Sequence, residues 1–359
     1  MDWTASPRLE DFRFETVANT VSNVKTAKSN GIIDASKITG FSLSWSYASS
    51  EKVSGALQVE GINPTKLNNN LIRIYFCPTV DGKGAKVLLA TMFCVASQGH
   101  YEKGRWTGSV DLLSPMCRFT QDKLHKNMTV KKGSTAYQLL SAIRKAYGGW
   151  YVWNGAANFK FSSVKVVKFG SSTKDYLDLV AGSSQNQLTV DRHGRIVVNK
   201  YVKPSKRPVS YTIPSGKASV TLPGVDMESS VAGTPNRVAC RFAYTPSGSK
   251  KQKEIFSTVA IASTKSFSRS KVGRLITEAY DITSMSPKTK ARLDAIAKSR
   301  LSKATGTEVR YTFRHLYLPI EIGQVVNFAY DRLKCKGLVV NIDLDAKKHI
   351  EMTTTIRRL

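Results

Sequence analysis

Short runs of alternating apolar and polar residues are the feature that most constrains what this chain can fold into. Five such runs follow one another between residues 38 and 113: GFSLSWSY, GALQVEG, NLIRIYFCP, KVLLATMFCV and WTGSVDLLS. Turn-forming residues separate them, among them Asn63-Pro64, Asp81-Gly82 and Gly104. A period of two is typical of half-buried strands. Strands at this spacing, with almost no helical periodicity, predict a small β-barrel or sandwich.

The pattern changes to a helical period after Pro115. The segment STAYQLLSAIRKAYGG predicts an amphipathic helix with Ser134 as its N-cap and Gly148-Gly149 at its end. Its apolar face consists of Ala136, Leu139, Leu140, Ile143 and Tyr147. An aromatic strand, GWYVWN, a strand over 159–167 and a second helix over 174–181 follow. We therefore expect an α/β unit inserted after the strands of the first barrel.

The chain returns to β-structure near residue 188. The sequence Asp191-Arg192-His193-Gly194 predicts the turn of a hairpin whose strands are LTV and IVV. The next stretch, KPSKRPVSYTIPSG, is rich in proline. Proline excludes a helix here and favours an edge strand or a connector.

A second β-rich region begins near Pro235 and contains one helix. The strands NRVACRFAY and STVAIAS flank a basic loop, TPSGSKKQKE, that predicts a surface hairpin tip. The helix lies in SPKTKARLDAIAKSRLSKATG, with Ser286 as its cap, Pro287 at its first position and Gly306 at its end. Its predicted buried face consists of Leu293, Ile296, Ala297, Leu301 and Ala304. Strand patterns then resume in EVRYTFRH, GQVVNFAY, KGLVVNIDLD and HIEMTTTIR.

The net charge is the one strong anomaly of the composition. Hydrophobic and charged fractions of 41% and 22% are ordinary for a soluble folded chain, but the formal net charge is +28. Such a charge attracts nucleic acid, an acidic protein surface or an anionic cell-wall polymer. Because Lys and Arg are spread along the chain, a solvated surface or a matched protein interface are the alternatives.

No set of residues predicts a catalytic centre, and we expect no enzyme activity, cofactor or metal. The cysteines are Cys77, Cys94, Cys117, Cys240 and Cys335; they lack CxxC spacing and suit a reducing cytosol. The histidines are His100, His125, His193, His315 and His349; they lack HExxH spacing and read as surface or turn residues. GxSxG, Walker A and GxGxxG motifs are absent. Neither a secretory signal nor a membrane-spanning segment of about 18 apolar residues is present.

The order of these patterns resembles that of bacteriophage tail hub proteins. The resemblance rests on VGRLITEAYDI, the helix LDAIAKSRLSKA and the loop HLYLPIEIGQVVNFAY in the C-terminal half. It extends to RIVVNKYVKPSKRPVSYTI, PGVDMESS and PNRVACRF in the middle, and to GFSLSWSYASSEKVSGALQVEG near the start. In this family the loop carries the chain from one barrel strand to the next. Pro319 blocks strand pairing in it and Gly323 permits a tight turn.

The resemblance implies a β-rich α+β protomer of a trimeric ring. It would have two small β-barrel domains with inserted α/β subdomains. The expected divisions are a first barrel over 1–120, completed by roughly 201–225, an inserted α/β domain over 121–200, and a second barrel over 226–359 with an inserted helix at 287–305. Six barrels in a trimer would match a hexameric tube.

The function that the resemblance implies is structural. A homotrimer in the virion, assembled in the host cytoplasm, would join the tail tube or distal tail protein above to the tape measure and a spike, fibre or lysin component below. DNA would pass through its lumen during ejection without sequence-specific binding. Candidate contacts to a polyanion or an acidic partner are Lys250, Lys251, Lys253, Lys288, Lys290, Arg292, Lys298 and Lys303. The alternative is a basic β-barrel nucleic-acid-binding protein that stacks bases on Trp150, Tyr151 and Trp153.

Overall fold

The structure of the protein is a computed structural model. It describes residues 8–19, 25–68, 70–80, 83–147, 151–153, 155–181, 185–216, 220–229, 234–246, 248, 251–265, 268–282, 288–304, 309–346 and 350–359. The chain divides into two compact units. The first combines Met1–Asp226 with Thr312–Leu359, and the second is Met227–Tyr311.

Strands dominate the secondary structure, as the sequence predicts for a β-rich chain. The strands before residue 230 are β1 (Arg8–Leu9), β2 (Phe12–Ala18), β3 (Gly31–Ile33), β4 (Ile38–Ser46), β5 (Val53–Glu60), β6 (Asn70–Phe76), β7 (Thr79–Val80), β8 (Lys83–Gly84), β9 (Val87–Glu102), β10 (Arg105–Leu113), β11 (Met128–Val130), β12 (Tyr151–Trp153), β13 (Lys165–Val167), β14 (Asn186–Val190), β15 (Ile196–Lys200), β16 (Val209–Ile213) and β17 (Thr221–Ser229). The later strands are β18 (Arg237–Tyr244), β19 (Lys253–Ala260), β20 (Thr277–Asp281), β21 (Val309–His315), β22 (Val325–Tyr330), β23 (Leu333–Ala346) and β24 (Ile350–Arg358). The α-helices are α1 (Cys117–Thr120), α2 (Ala136–Tyr147), α3 (Thr173–Ala181), α4 (Arg269–Val272) and α5 (Lys290–Ala304).

One large sheet forms the body of the first unit. Its strand order is β17-β21-β24-β23-β4-β5-β10-β9-β6-β2-β3, and β22 pairs with β23 beside this path. The proline-rich segment supplies β16, which pairs in parallel with β22 and lies at an edge. Among the described strands, the order of the sheet ends at β17 on one side and at β3 on the other, and the sheet does not close on itself. The two barrels and the trimeric ring therefore stay predictions.

The C-terminal strands correct the predicted division of the chain. Strand β23 pairs with β4, in a register that places Asp343 opposite Ser44 and Ile342 opposite Trp45. Residues 312–359 therefore belong with the first unit, and only 227–311 form a separate unit. Alternation identified these strands in the sequence, but it carries no information about which distant strand each one pairs with.

Alternate residues of the central strands build the core of the sheet. Phe41, Leu43, Leu57, Val110 and Leu112 are buried, and the polar residues between them face outward. Each such side chain contributes about 1.5–3 kcal/mol on full burial. The predicted strand pattern between residues 38 and 113 is confirmed by β4, β5, β6, β9 and β10.

The inserted lobe (residues 121–200) has a core of its own. Helices α2 and α3 pack on each other and on the sheets β12-β15-β14 and β11-β13. The side chains buried there include Ala136, Leu140, Ile143, Leu177, Val180, Ile196 and Val198. The predicted hairpin at residue 191 is confirmed, because β14 and β15 are antiparallel and the Gly194 N–H donates to the Asp191 carbonyl at 2.9 Å. Gly148 and Gly149, predicted to end α2, lie outside the described residues.

The N-cap of α2 is Thr135, which corrects the prediction of Ser134. The Gln138 N–H donates to the Thr135 hydroxyl at 3.2 Å, and the Thr135 N–H donates to the Gln138 side chain at 3.0 Å. This reciprocal pair is a capping box. The Thr-x-x-Gln spacing of this capping box can be recognised in the sequence, where it begins one residue after Ser134.

The second unit packs one helix on one sheet. The strand order is β19-β18-β20, and α5 covers the face that carries Val238, Cys240 and Phe242. Of the predicted helix face, Leu293, Ala297 and Leu301 are buried and Ile296 is half-buried. The side chain of Ala304, and Ser286, Pro287 and Gly306, lie outside the described residues. The predicted basic loop joins β18 to β19, which form an antiparallel hairpin.

Candidate interaction surfaces

Two buried cysteines and one buried histidine are shielded from solvent. All five cysteines are free, and burial raises the pKa of the Cys94 and Cys117 thiols to about 12. His315 was predicted to lie at the surface or in a turn, but it is buried at the end of β21. Its Nδ1 lies 2.6 Å from the Leu316 carbonyl and its Nε2 2.8 Å from the Thr354 hydroxyl. Within the described ranges no group of three or more His, Cys, Asp or Glu residues could hold a metal ion.

As far as the structure describes them, the basic residues predicted to meet a polyanion lie on or beside α5 and at the β18–β19 hairpin. Lys251 and Lys253 are exposed at the β18–β19 hairpin. The Lys290 ammonium forms an ion pair with the Asp294 carboxylate at 3.1 Å on the surface of α5. The Lys288 ammonium lies 5.2 Å from the ring centroid of Tyr244. Arg292 and Lys298 are exposed on α5, Lys250 lies outside the described residues, and so does the side chain of Lys303.

A groove of 680 Å³ on the second unit brings the predicted contact residue Arg292 together with residues that the sequence did not suggest. Arg292 and Arg300 of α5 line it together with Glu278 and Tyr280 of β20. The Arg300 guanidinium stacks on the Tyr280 ring at 3.9 Å. Because Glu278 also lines the groove, the groove carries both positive and negative charge.

A further concentration of positive charge lies on the inserted lobe. Residues 121–172 contain eight lysines, one arginine and a single acidic residue, Asp122. The lysines are all exposed: Lys123, Lys126, Lys131, Lys132, Lys145, Lys160, Lys165 and Lys168. The Asp122 carboxylate accepts a hydrogen bond from the Thr173 hydroxyl at 2.6 Å. Counting charges in short windows of the sequence would have indicated this surface. The even distribution of Lys and Arg over the whole chain makes it hard to notice.

Four acidic residues lie together on a different surface, the outer face of the large sheet. We call Asp111, Asp343, Asp345 and Glu351 with the serines between them the acidic sheet face; it lines a groove of 1130 Å³. The Ser44 hydroxyl donates to Asp343 at 2.6 Å, and Arg314 lies 3.3 Å from Glu351. The four carboxylates come from strands β10, β23 and β24.

The loop that carries Pro319 and Gly323 joins the inserted lobe to the sheet. Pro319 lies between β21 and β22, outside both strands, and Gly323 has φ +80° in a turn closed by the Gln324 N–H and the Glu321 carbonyl at 3.2 Å. Arg207 donates to the Gly323 carbonyl at 2.6 Å and to the Gln187 side chain at 2.8 Å. These cationic and polar groups form hydrogen bonds with one another. We therefore interpret the 420 Å³ cleft beside them as part of the structural contact between the lobe and the sheet.

The aromatic strand is part of the lobe's core. Trp153 packs against the buried cluster and meets Tyr137 edge-on, with ring centroids 3.6 Å apart. Strand β12 pairs in parallel with β15. Trp150 and the side chain of Tyr151 lie outside the described residues. Trp153 is therefore committed to packing and not presented for base stacking.

Comparison with known proteins gives matches by structure only. No family model matches the chain, and no curated protein matches its sequence. A tail protein from Neisseria meningitidis MC58 superposes with a TM-score of 0.67 and 10% identity, over 97% of this chain and 96% of that chain. The 43 kDa tail protein of prophage MuSo2 from Shewanella oneidensis gives 0.67 and 12% identity, over 98% of both chains. The fold is that of phage tail proteins.

The same fold occurs in a chain of a second kind of complex. A chain of the Francisella PdpA-VgrG complex matches with a TM-score of 0.57 and 10% identity, over 98% of this chain and 58% of that one. The resemblance that the sequence suggested is thus confirmed as a fold. None of the helices that the structure describes has both the length and the apolar composition needed to span a bilayer.

Proposed function

We propose that the protein is a structural hub of a phage tail tip or baseplate. The observation that carries this proposal is the end-to-end match to two tail proteins, which leaves no large segment of either chain outside the shared fold. Three copies would form a ring that joins the tail tube or distal tail protein to the tape measure and the spike, fibre or lysin component. DNA would pass through the lumen without sequence-specific contacts.

The chemistry of the described residues supports a scaffold and not an enzyme. Burial keeps the Cys94 and Cys117 thiols protonated, and a thiol must ionise to act as a nucleophile. The His315 imidazole is occupied at both nitrogens by Leu316 and Thr354. A general base needs a nitrogen that can reach substrate.

The separation of charge supports assembly of identical copies. The acidic sheet face is opposite in sign to the net charge of +28 on the chain, so a basic face of a second copy can meet it. A contact between unlike faces of two copies is heterologous, and a heterologous contact that closes gives a ring. We therefore propose that the acidic sheet face forms one side of the contact between protomers.

Mass in solution and particle images test the ring. We expect a mass of three times 39.6 kDa by light scattering and a threefold annulus by electron microscopy. Asp343→Lys with Asp345→Lys, which sets lysines against a basic face, should slow trimer assembly and raise the monomer fraction. Glu102→Lys with Glu228→Lys, an equal charge change at other exposed positions, should not. A wild-type protein that stays monomeric at high concentration and shows no ring would refute the proposal.

A nucleic-acid-binding role is the second candidate, favoured by the net charge of +28. Such a protein should bind short oligonucleotides with submicromolar affinity, and the logarithm of its affinity should fall steeply with the logarithm of salt concentration. A hub should bind oligonucleotides weakly while forming the trimer. The two measurements on one preparation separate the candidates.

A further inference from the structure

The β11–β13 ribbon of the inserted lobe exposes an apolar outer face. Val164 directly precedes β13, and Val166 lies in that strand. They are 57% and 53% exposed, and Phe169, three residues further on, is 70% exposed. Clustered apolar side chains left in water mark a contact surface.

The ribbon is held by backbone hydrogen bonds and faces open space. The Leu124 N–H donates to the Ser171 carbonyl, and the Gly170 N–H donates to the Leu124 carbonyl, both at 2.9 Å. The Phe169 N–H donates to the Asn127 side chain at 2.8 Å. Gly170 has φ +80°, and no atom lies within 4 Å of the position that a Cβ would take. Phe169 therefore lies in a hydrogen-bonded turn that directly follows the strand of Val166.

Lysines stand at both ends of this apolar face. The register pairs Val130 with Lys165 and Met128 with Val167. Lys131 and Lys132 therefore follow at one end of the ribbon, and Lys126 and Lys168 lie at the other. All four are exposed, and none forms an ion pair with another described residue.

The composition of the patch selects among anionic partners. Protein interfaces are depleted in Lys and enriched in Arg, and nucleic-acid contacts favour Arg forks and aromatic stacking. The segment has eight lysines to one arginine, and of the three apolar side chains only Phe169 could stack on a base. Aliphatic and phenyl side chains ringed by lysine suit an anionic bilayer, where the apolar groups enter the headgroup boundary and the ammonium groups stay at the phosphates.

We propose that the β11–β13 ribbon is a peripheral docking element for an anionic lipid bilayer. Val164, Val166 and Phe169 enter the headgroup region of the membrane. Lys126, Lys131, Lys132 and Lys168 contact the lipid phosphates. The inference goes beyond the structural role and does not depend on it. A protein that forms the ring but does not bind vesicles would keep that role and lose the membrane contact.

A charge-neutral variant separates docking from general attraction to a protein of net charge +28. The full chain is sedimented with vesicles of phosphatidylcholine, or of an equimolar mixture of phosphatidylcholine and phosphatidylglycerol. Val164→Ser with Val166→Ser and Phe169→Ser should lower the partition coefficient on the mixed vesicles by at least about tenfold, because burying one such side chain corresponds to roughly that factor. Binding to phosphatidylcholine alone should stay weak for every variant.

The matched control is Ile32→Ser with Met227→Ser and Phe256→Ser, which removes apolar residues of similar exposure, 62%, 66% and 60%, elsewhere. It should bind as the wild type does. In a second arm, Lys126, Lys131, Lys132 and Lys168 are replaced by Gln, with an expected loss of about fivefold per lysine. Replacing Lys28, Lys66, Lys206 and Lys334 by Gln removes the same charge from other exposed positions and should cost less.

Each outcome of the vesicle experiment either supports or overturns the proposal. Loss of vesicle binding in the ribbon variants alone, with unchanged mass and circular dichroism, supports the proposal. Equal binding by wild type and the serine variant overturns it, since net charge alone would then explain adsorption. An equal loss of oligonucleotide binding in the serine variant also overturns it and assigns the patch to nucleic acid.

Discussion

The buried His315 should make the stability of the protein fall between pH 6.5 and pH 4. Burial lowers the pKa of this imidazole from 6.5 to about 4, and the bond to the Leu316 carbonyl opposes the shift only in part. The carbonyl can only accept, so Nδ1 carries the proton and Nε2 accepts from the Thr354 hydroxyl. The folded protein therefore holds His315 in its neutral form.

The sign and size of the effect follow from linkage. Between these pH values the unfolded chain binds a proton at His315 that the folded chain does not, so the free energy of unfolding falls as pH falls. A difference of about 2.5 pKa units corresponds to about 3 kcal/mol. Above pH 6.5 both states are neutral at this position and the contribution of His315 to the pH dependence disappears.

Urea unfolding at several pH values measures this contribution. The wild type should lose about 3 kcal/mol more than His315→Gln between pH 6.5 and pH 4, because glutamine does not titrate. His125→Gln, at an exposed histidine, is the control and should follow the wild type. Parallel pH profiles for wild type and His315→Gln would refute the reasoning.

Three substitutions test the packing and turns. Leu57→Ala, at a fully buried position, should lower the free energy of unfolding by about 2–5 kcal/mol in urea titrations, and a loss below that range would mean that the site collapses around the cavity. Thr135→Ala should cost about 1 kcal/mol by removing the cap of α2, while Ser134→Ala should cost little; the reverse order would contradict the assignment. Gly323→Ala should cost about 1–2 kcal/mol because φ is +80° and the new Cβ would lie 3.2 Å from the Tyr47 ring, and an unchanged melting temperature would argue against a strained turn.

Local patterns in the sequence were sufficient for the individual elements. Alternation located β4, β5 and β10, and the 3.6-residue period located α5, predicted over 287–305 and observed over Lys290–Ala304. These signals are local because a strand or helix exposes its period along its own residues. The cap of α2 was missed by one residue although Thr135 and Gln138 have the spacing of a capping box.

Pairing between distant strands could not be predicted. The contact of β23 with β4 joins residues about 300 positions apart, as in the pair Asn341 and Ser46. No turn or spacing encodes such a pair, so the predicted second barrel included strands that belong to the first unit. The charged surfaces depend on the same contacts: pairing of β11 with β13 brings together lysines 126 and 168.

The energetics of the charged surfaces set the conditions under which assembly is observable. An exposed ion pair contributes only about 0–1 kcal/mol, so four carboxylates of the acidic sheet face cannot hold a ring by charge alone. Their main effect is on orientation and on the rate of encounter, which ionic strength reduces. The Debye length falls from about 30 Å at 0.01 M salt to about 3 Å at 1 M. Assembly through Asp343 and Asp345 should therefore slow as salt rises, while a completed ring held by shape and apolar contact should persist in the same buffer.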